Sequence, residues 1–143
     1  MKRRRNFGIL LAFALAVVAA PQAPQRADKP TESAHRSGPN GLEGWTLDWP
    51  VPDSGYGDER FAVTLVIARH SHVIRRVSGD SFIWRWIFWA DGRQLAYETG
   101  PLHFSAACYL VRLSDGHQLD SYDCYHDEPP QQPEWVKALE ASR

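Results

Sequence analysis

The residues of this 143-residue chain that could do chemistry are six histidines, two cysteines, several carboxylates and six tryptophans. His70 and His72 stand two apart, so they share a face of a strand or converge in a turn. Zinc needs three or four imidazole, thiolate or carboxylate donors. His103 or His126 could supply a third, but none of these spacings is that of a metal motif. The pair reads as solvated turn histidines, and neither metal nor cofactor is expected. Nucleophilic catalysis needs Ser, Cys or Thr beside a base held by a carboxylate. The chain has no Gly-x-Ser-x-Gly elbow and no Ser-x-x-Lys, and Ser105, His103 and Asp123 form a triple that any β-domain offers by chance. A glycosidase pair would come from Glu98, Asp120, Asp123 or Asp127. Arg85 and Arg112 are the expected ion-pair partners of Glu98 and Asp120. No glycine-rich phosphate loop is present.

The aromatic residues form the strongest candidate site. Trp84, Trp86 and Phe88 alternate, so a regular strand places them on one face beside Leu95 and Tyr97. Trp89 falls on the opposite face with Ile83, Arg85 and Ile87. Trp84, Trp86, Trp89, Tyr97 and His103 are therefore the residues of a possible partner or ligand surface. The competing reading puts one face on the core and the other under a C-terminal helix carrying Trp135, and it is the one favoured here. Cys108 and Cys124 are expected to form a structural disulfide.

The elements that position these residues are short strands separated by turn residues. Strand candidates run over Trp45–Trp49, Phe61–Ile67, Val73–Val77, Phe82–Trp89, Gln94–Thr99, Ala106–Leu113 and Gln118–Tyr125. Asp91-Gly92 marks a hairpin. A two-residue loop there sets Arg85 opposite Glu98, Ile87 opposite Ala96 and Phe88 opposite Leu95, all sensible pairs. A three-residue loop over Asp115-Gly116-His117 sets Leu113 opposite Leu119, Arg112 opposite Asp120, Leu110 opposite Tyr122 and Cys108 opposite Cys124. After Pro129-Pro130 a short helix is expected near 133–141, with Trp135, Val136 and Leu139 on one face. The fold class is all-β: an antiparallel meander or small sandwich of six or seven strands with that helix.

The N-terminal part reads differently. Lys2 to Arg5 are basic, and Phe7 to Ala20 is an uncharged run of 14 residues. A membrane span needs about 20. Residues 1–20 therefore read as a cleavable signal peptide, with no stable membrane anchor after cleavage. The localisation expected is periplasmic or secreted. Residues 21–41 are rich in Pro, Gln, Ser and basic residues and carry no large apolar side chain, so they read as a disordered linker. Residues 42–143 are the single folded domain. Without residues 1–20 the chain keeps 12 basic against 17 acidic groups, a net of −5, which argues against nucleic acid as a partner.

Phe88-Trp89-Ala90-Asp91-Gly92-Arg93-Gln94-Leu95-Ala96-Tyr97 resembles the blade motif of periplasmic propellers of the Tol-system and prolyl-oligopeptidase type. There, an aromatic residue, a spacer and Asp-Gly precede an apolar strand. A fainter echo follows in Ser114-Asp115-Gly116-His117-Gln118-Leu119. A propeller needs four or more blades of four strands, so the resemblance implies a stand-alone meander using the same hairpin chemistry. The span from Phe61 to Trp135 also resembles small exported bacterial proteins with an Asp-Gly hairpin, a Gly-Pro-x-His (Gly100–His103) and a closing Pro-x-Trp (Pro133–Trp135). That resemblance implies no activity.

The function expected is that of an exported, non-enzymatic accessory or protein-interaction domain, with another exported protein as partner. The alternative is a small secreted hydrolase or metal-dependent enzyme centred on His103. Expressed with its own N-terminus in a bacterial host, the protein should leave the cytoplasm with its first 19 or 20 residues removed. Mass spectrometry of the exported chain checks this, and an intact Met1 contradicts it.

Overall fold

The computed structural model describes residues 29–51, 59–102, 106–125 and 131–142. Strands β1 (Thr31–Glu32), β2 (Arg36–Ser37), β3 (Leu42–Pro50), β4 (Arg60–Arg69) and β5 (His72–Ser78) make the first antiparallel sheet. β1 and β2 follow one another along one edge of β3, and β4 and β5 complete the order. Strands β6 (Phe82–Trp89), β7 (Gln94–Gly100), β8 (Ala107–Arg112) and β9 (Gln118–Asp123) form the second sheet as a simple meander. A short helix, α1 (Glu134–Glu140), lies against the second sheet. The all-β expectation with a C-terminal helix holds, with two short strands beyond the seven expected.

The two sheets share one core. The first sheet contributes Leu42, Leu65 and Ile67, and the second contributes Ile83, Trp86, Leu95, Tyr97, Val111 and Leu113. The other face of the second sheet presents Ala96, Cys108 and Leu110 to Trp135, Val136 and Leu139 of α1. β7 is thus covered on both sides, and every residue from Leu95 to Gly100 is buried. The indole nitrogen of Trp135 donates to Asp120 (3.0 Å), which fixes the helix across β9.

The Asp-Gly hairpin has the expected register: Arg85 faces Glu98, Ile87 faces Ala96 and Phe88 faces Leu95. The next hairpin does not. Leu110 pairs with Asp120 and Cys108 with Tyr122. The cause is the turn. Asp115 accepts a bond from the His117 amide (2.9 Å) and pairs with Arg112 (2.7 Å), so Arg112 is not the partner of Asp120. Arg112 and His117 close a four-residue loop, in which Gly116 takes a positive φ that side chains disfavour. The shorter strand reach releases Leu113 from pairing and lets it enter the core, while Leu119 stays exposed. Cys108 and Cys124 are bonded, with Cα atoms 5.8 Å apart, as diagonal rather than facing residues. Their separation of 16 residues corresponds to about 3 kcal/mol in the chain-entropy description.

Part of the expected linker is also corrected. Thr31–Glu32 and Arg36–Ser37 pair with β3, Ser33 between them exchanges bonds with Thr46, and Pro39–Gly41 forms a 3-10 turn. A polar segment needs no apolar side chain to be held by a backbone ladder. Two of its side chains also dock on tryptophans: His35 on Trp45 and Arg36 on Trp86. The expected signal segment lies outside the described residues.

Replacing Trp86 with Ala removes a side chain that is 5% exposed at the centre of the shared core. The expected loss is about 3–5 kcal/mol of stability, measurable by denaturant unfolding.

Candidate functional site

Regular alternation along β6 would put Trp84 and Trp86 on one face. The structure breaks it with a bulge between Ile83 and Arg85. A bulge adds a residue to one strand and re-aims its side chain. Ile83 and Trp86 consequently both enter the core, and Trp84 turns outward with 39% exposure. The aromatic surface expected from the sequence is divided accordingly. Trp86 and Tyr97 are core residues, and Trp89 is half-buried and packs against the cluster under α1. His103 lies outside the described residues. Trp84 alone of these residues stands exposed among the described ones.

Trp84 is held in place. Its Nε1 donates to the carbonyl of Gly100 (3.0 Å). Its ring meets Phe82 at 5.7 Å and Phe61 at 6.4 Å, both edge-on. Phe61 and Phe82 are themselves 5.0 Å apart, and Trp49 lies opposite Phe61 in the β3–β4 register with 38% exposure. Edge-to-face ring pairs favour fixed orientations. The result is an aromatic cluster that bridges the ends of β3 and β4 in one sheet and the start of β6 in the other. Trp49, Phe61 and Phe82 were absent from the sequence-based site. The signal available was that each closes or opens a strand; the bulge that groups them has no sequence marker.

A groove of about 210 Å³ runs beside Trp84, between the β1–β2 edge and β6, with Ser33, Arg36, Ala62, Arg85 and Trp86 among its walls. Arg36 stands over the Trp86 ring at 5.2 Å, a cation–π contact. Arg85 pairs with Glu98, which is 7% exposed, and its Nη1 reaches the carbonyl of Glu140 at the end of α1. A buried carboxylate is tolerated only when paired. The outer edge of β6 pairs with no described strand.

His35 clasps the β1–β2 edge of the first sheet against β3. Its ring stacks on Trp45 at 4.2 Å, its Nδ1 lies 2.9 Å from Glu43, and its Nε2 lies 3.5 Å from Glu32. The hydrogen bond to Glu43, against a smaller desolvation effect and aided by Glu32, raises its pKa above the ordinary histidine value.

A second cleft, of about 430 Å³, lies at the ends of β7, β8 and β9, lined by Asp80, Thr99, Tyr109, Ser121, Tyr122 and Asp123 among others. Burial, with Tyr109 and Asp80 nearby, pushes Tyr97 up to about 12, so this phenol stays protonated. Asp123 lines this cleft, but Ser105, His126 and Asp127, like His103, lie outside the described residues. His70 belongs to the β4–β5 turn, and His72 turns its Nδ1 towards the His70 carbonyl (2.9 Å). Arg69, next to that turn, lines one cleft with Leu113 and Ser114 of the β8–β9 loop, at the opposite end of β9 from Asp123. No group of three or more metal-ligating side chains occurs among the described residues.

Comparison with protein-family models, with curated proteins and with solved structures finds no match to this chain. The chemistry of its surfaces is therefore the basis for assigning a role.

The His35 clasp has a definite pH dependence. A folded-state pKa above the unfolded one stabilises the fold fully below the unfolded value and loses that contribution as pH rises through the folded value. The difference in melting temperature between wild type and Glu43→Gln should therefore shrink as pH rises from about 5 to about 9. A difference that is constant over that range contradicts the clasp.

Proposed function

We propose that this chain is an exported, non-enzymatic interaction domain, periplasmic or secreted, whose contact surface centres on Trp84 and whose partner is another exported protein. The observation that carries the reading is the state of Trp84: a large indole, outward-facing, with its orientation fixed by Gly100 and two aromatic neighbours. A rigid aromatic presents much area at small entropic cost, which is why tryptophan anchors so many interfaces. Arg36 beside it suits a partner segment that combines an apolar side chain with a carboxylate. The Cys108–Cys124 bond supports export, since disulfides persist in oxidising compartments. No helix among the described residues is long and apolar enough to cross a membrane.

A photo-crosslinking side chain at position 84, introduced in the exporting cell, tests this. It should yield one discrete adduct with an exported protein, and the same probe at exposed Arg76 on β5 should not. Trp84→Ala should then cost about 1 kcal/mol of stability or less and abolish capture of that partner. The reading fails if position 84 gives no adduct, or if Trp84→Ala leaves capture intact.

A further inference from the structure

The turns at the other end of the sandwich build a cleft that neither the sequence motifs nor the Trp84 surface accounts for. It measures about 350 Å³. Arg69 enters it from the end of β4, Arg93 from the β6–β7 turn and Arg112 from the end of β8. Ile74 of β5 and Leu113 form apolar wall.

This end is tied together across elements. The side chain of Asn40 donates to the carbonyl of Asp91 (3.2 Å), and the Leu113 amide donates to the carbonyl of Arg93 (3.0 Å). Arg75 donates to the carbonyl of Leu113 (3.1 Å), and the His70 amide to that of Gly41 (3.0 Å). Gly92, at positive φ, sits where a Cβ would come within 2.5 Å of the Leu42 side chain, so the β6–β7 turn is pressed against the core. The three arginines therefore project from a fixed frame.

Their charge is only partly answered. Arg112 is bonded to Asp115 (2.7 Å), and Asp91 is the one carboxylate among the described residues that line the cleft. Arg93 spends its Nε on the Ala90 carbonyl (3.1 Å), a neutral group. Three guanidinium groups thus face two carboxylates, in a chain whose formal net charge is −1. Guanidinium forks match the oxygens of carboxylate and phosphate groups. Ile74, with 39% exposure, offers an apolar contact beside them.

We propose that this cleft is a binding site for a small ligand, or a chain terminus, bearing an oxyanion next to a short aliphatic group. Arg69 and Arg93 hold the oxyanion, and Ile74 receives the aliphatic part. The site is separate from the Trp84 surface, at the opposite end of β6, so either can fail without the other.

The test is an amide-shift titration of the folded domain by NMR with three probes: 4-methylpentanoate, its neutral amide, and inorganic phosphate. The carboxylate should shift Gly92, Arg93, Leu113 and Ser114 saturably, and the amide should not. Arg69→Gln should weaken the carboxylate by roughly ten-fold, the worth of one charge-assisted hydrogen bond, and Arg76→Gln, on the other face of β5, should not. A peptide ending in free leucine, compared with its C-terminal amide, distinguishes a chain terminus from a free acid as the source. Absence of saturable shifts with any anion, or equal binding of the amide, overturns the site. Equal binding of phosphate and 4-methylpentanoate overturns the aliphatic half of the assignment.

Discussion

The burial of one indole, that of Trp86, is the constraint on which the rest of the structure depends. Its ring lies against Gly44 of β3, where a Cβ would come within 2.5 Å of it, and beside Ile67 of β4. It meets Phe88 edge-on at 5.4 Å, and Arg36 covers it from β2. One side chain thus joins the second sheet to three strands of the first. Phe88 continues the contact to Gly38, where again no side chain would fit. The N-terminal strands are consequently part of the domain rather than a tether to it.

The same event produces the exposed aromatic surface. A strand cannot bury both Ile83 and Trp86 without a residue between them leaving the alternation, and that residue is Trp84. Core packing and recognition surface are two results of one bulge. At the far end, the hairpin turns are held by backbone hydrogen bonds to one another, and their arginines project outward. Both surfaces draw on both sheets, and the inner strand β7 of the second is covered on both faces by core and helix. It leaves the strand ends free to differ.

Much of this was legible in the sequence. The Asp91-Gly92 hairpin, its Arg85–Glu98 pair, the disulfide and the helix carrying Trp135 all rest on local chemistry or on short-range pairing, and all are present. What escaped was decided by side-chain bonds inside one loop and by non-local contacts. Asp115 answers Arg112 and the His117 amide within its own loop, which shortened the second hairpin and moved every facing pair on β9. Residues 31–37 carry no hydrophobic signal because their order comes from the β3 edge and from two tryptophans elsewhere in the chain. The bulge at Trp84 has no glycine or proline to announce it; it follows from what the opposite sheet can accommodate. The arginine cleft joins residues from three strand ends, and only the register of the turns brings them together.

The central claim is that Trp84 and Trp86, two residues apart, lie on opposite sides of the protein boundary. It is tested most directly by 19F NMR of the domain labelled with 5-fluorotryptophan, with a soluble gadolinium chelate as relaxation agent and assignment by Trp84→Phe and Trp86→Phe. The account predicts strong broadening of the Trp84 signal and little change at Trp86 and Trp135. Equal broadening of Trp84 and Trp86 would place them on one face and contradict the account.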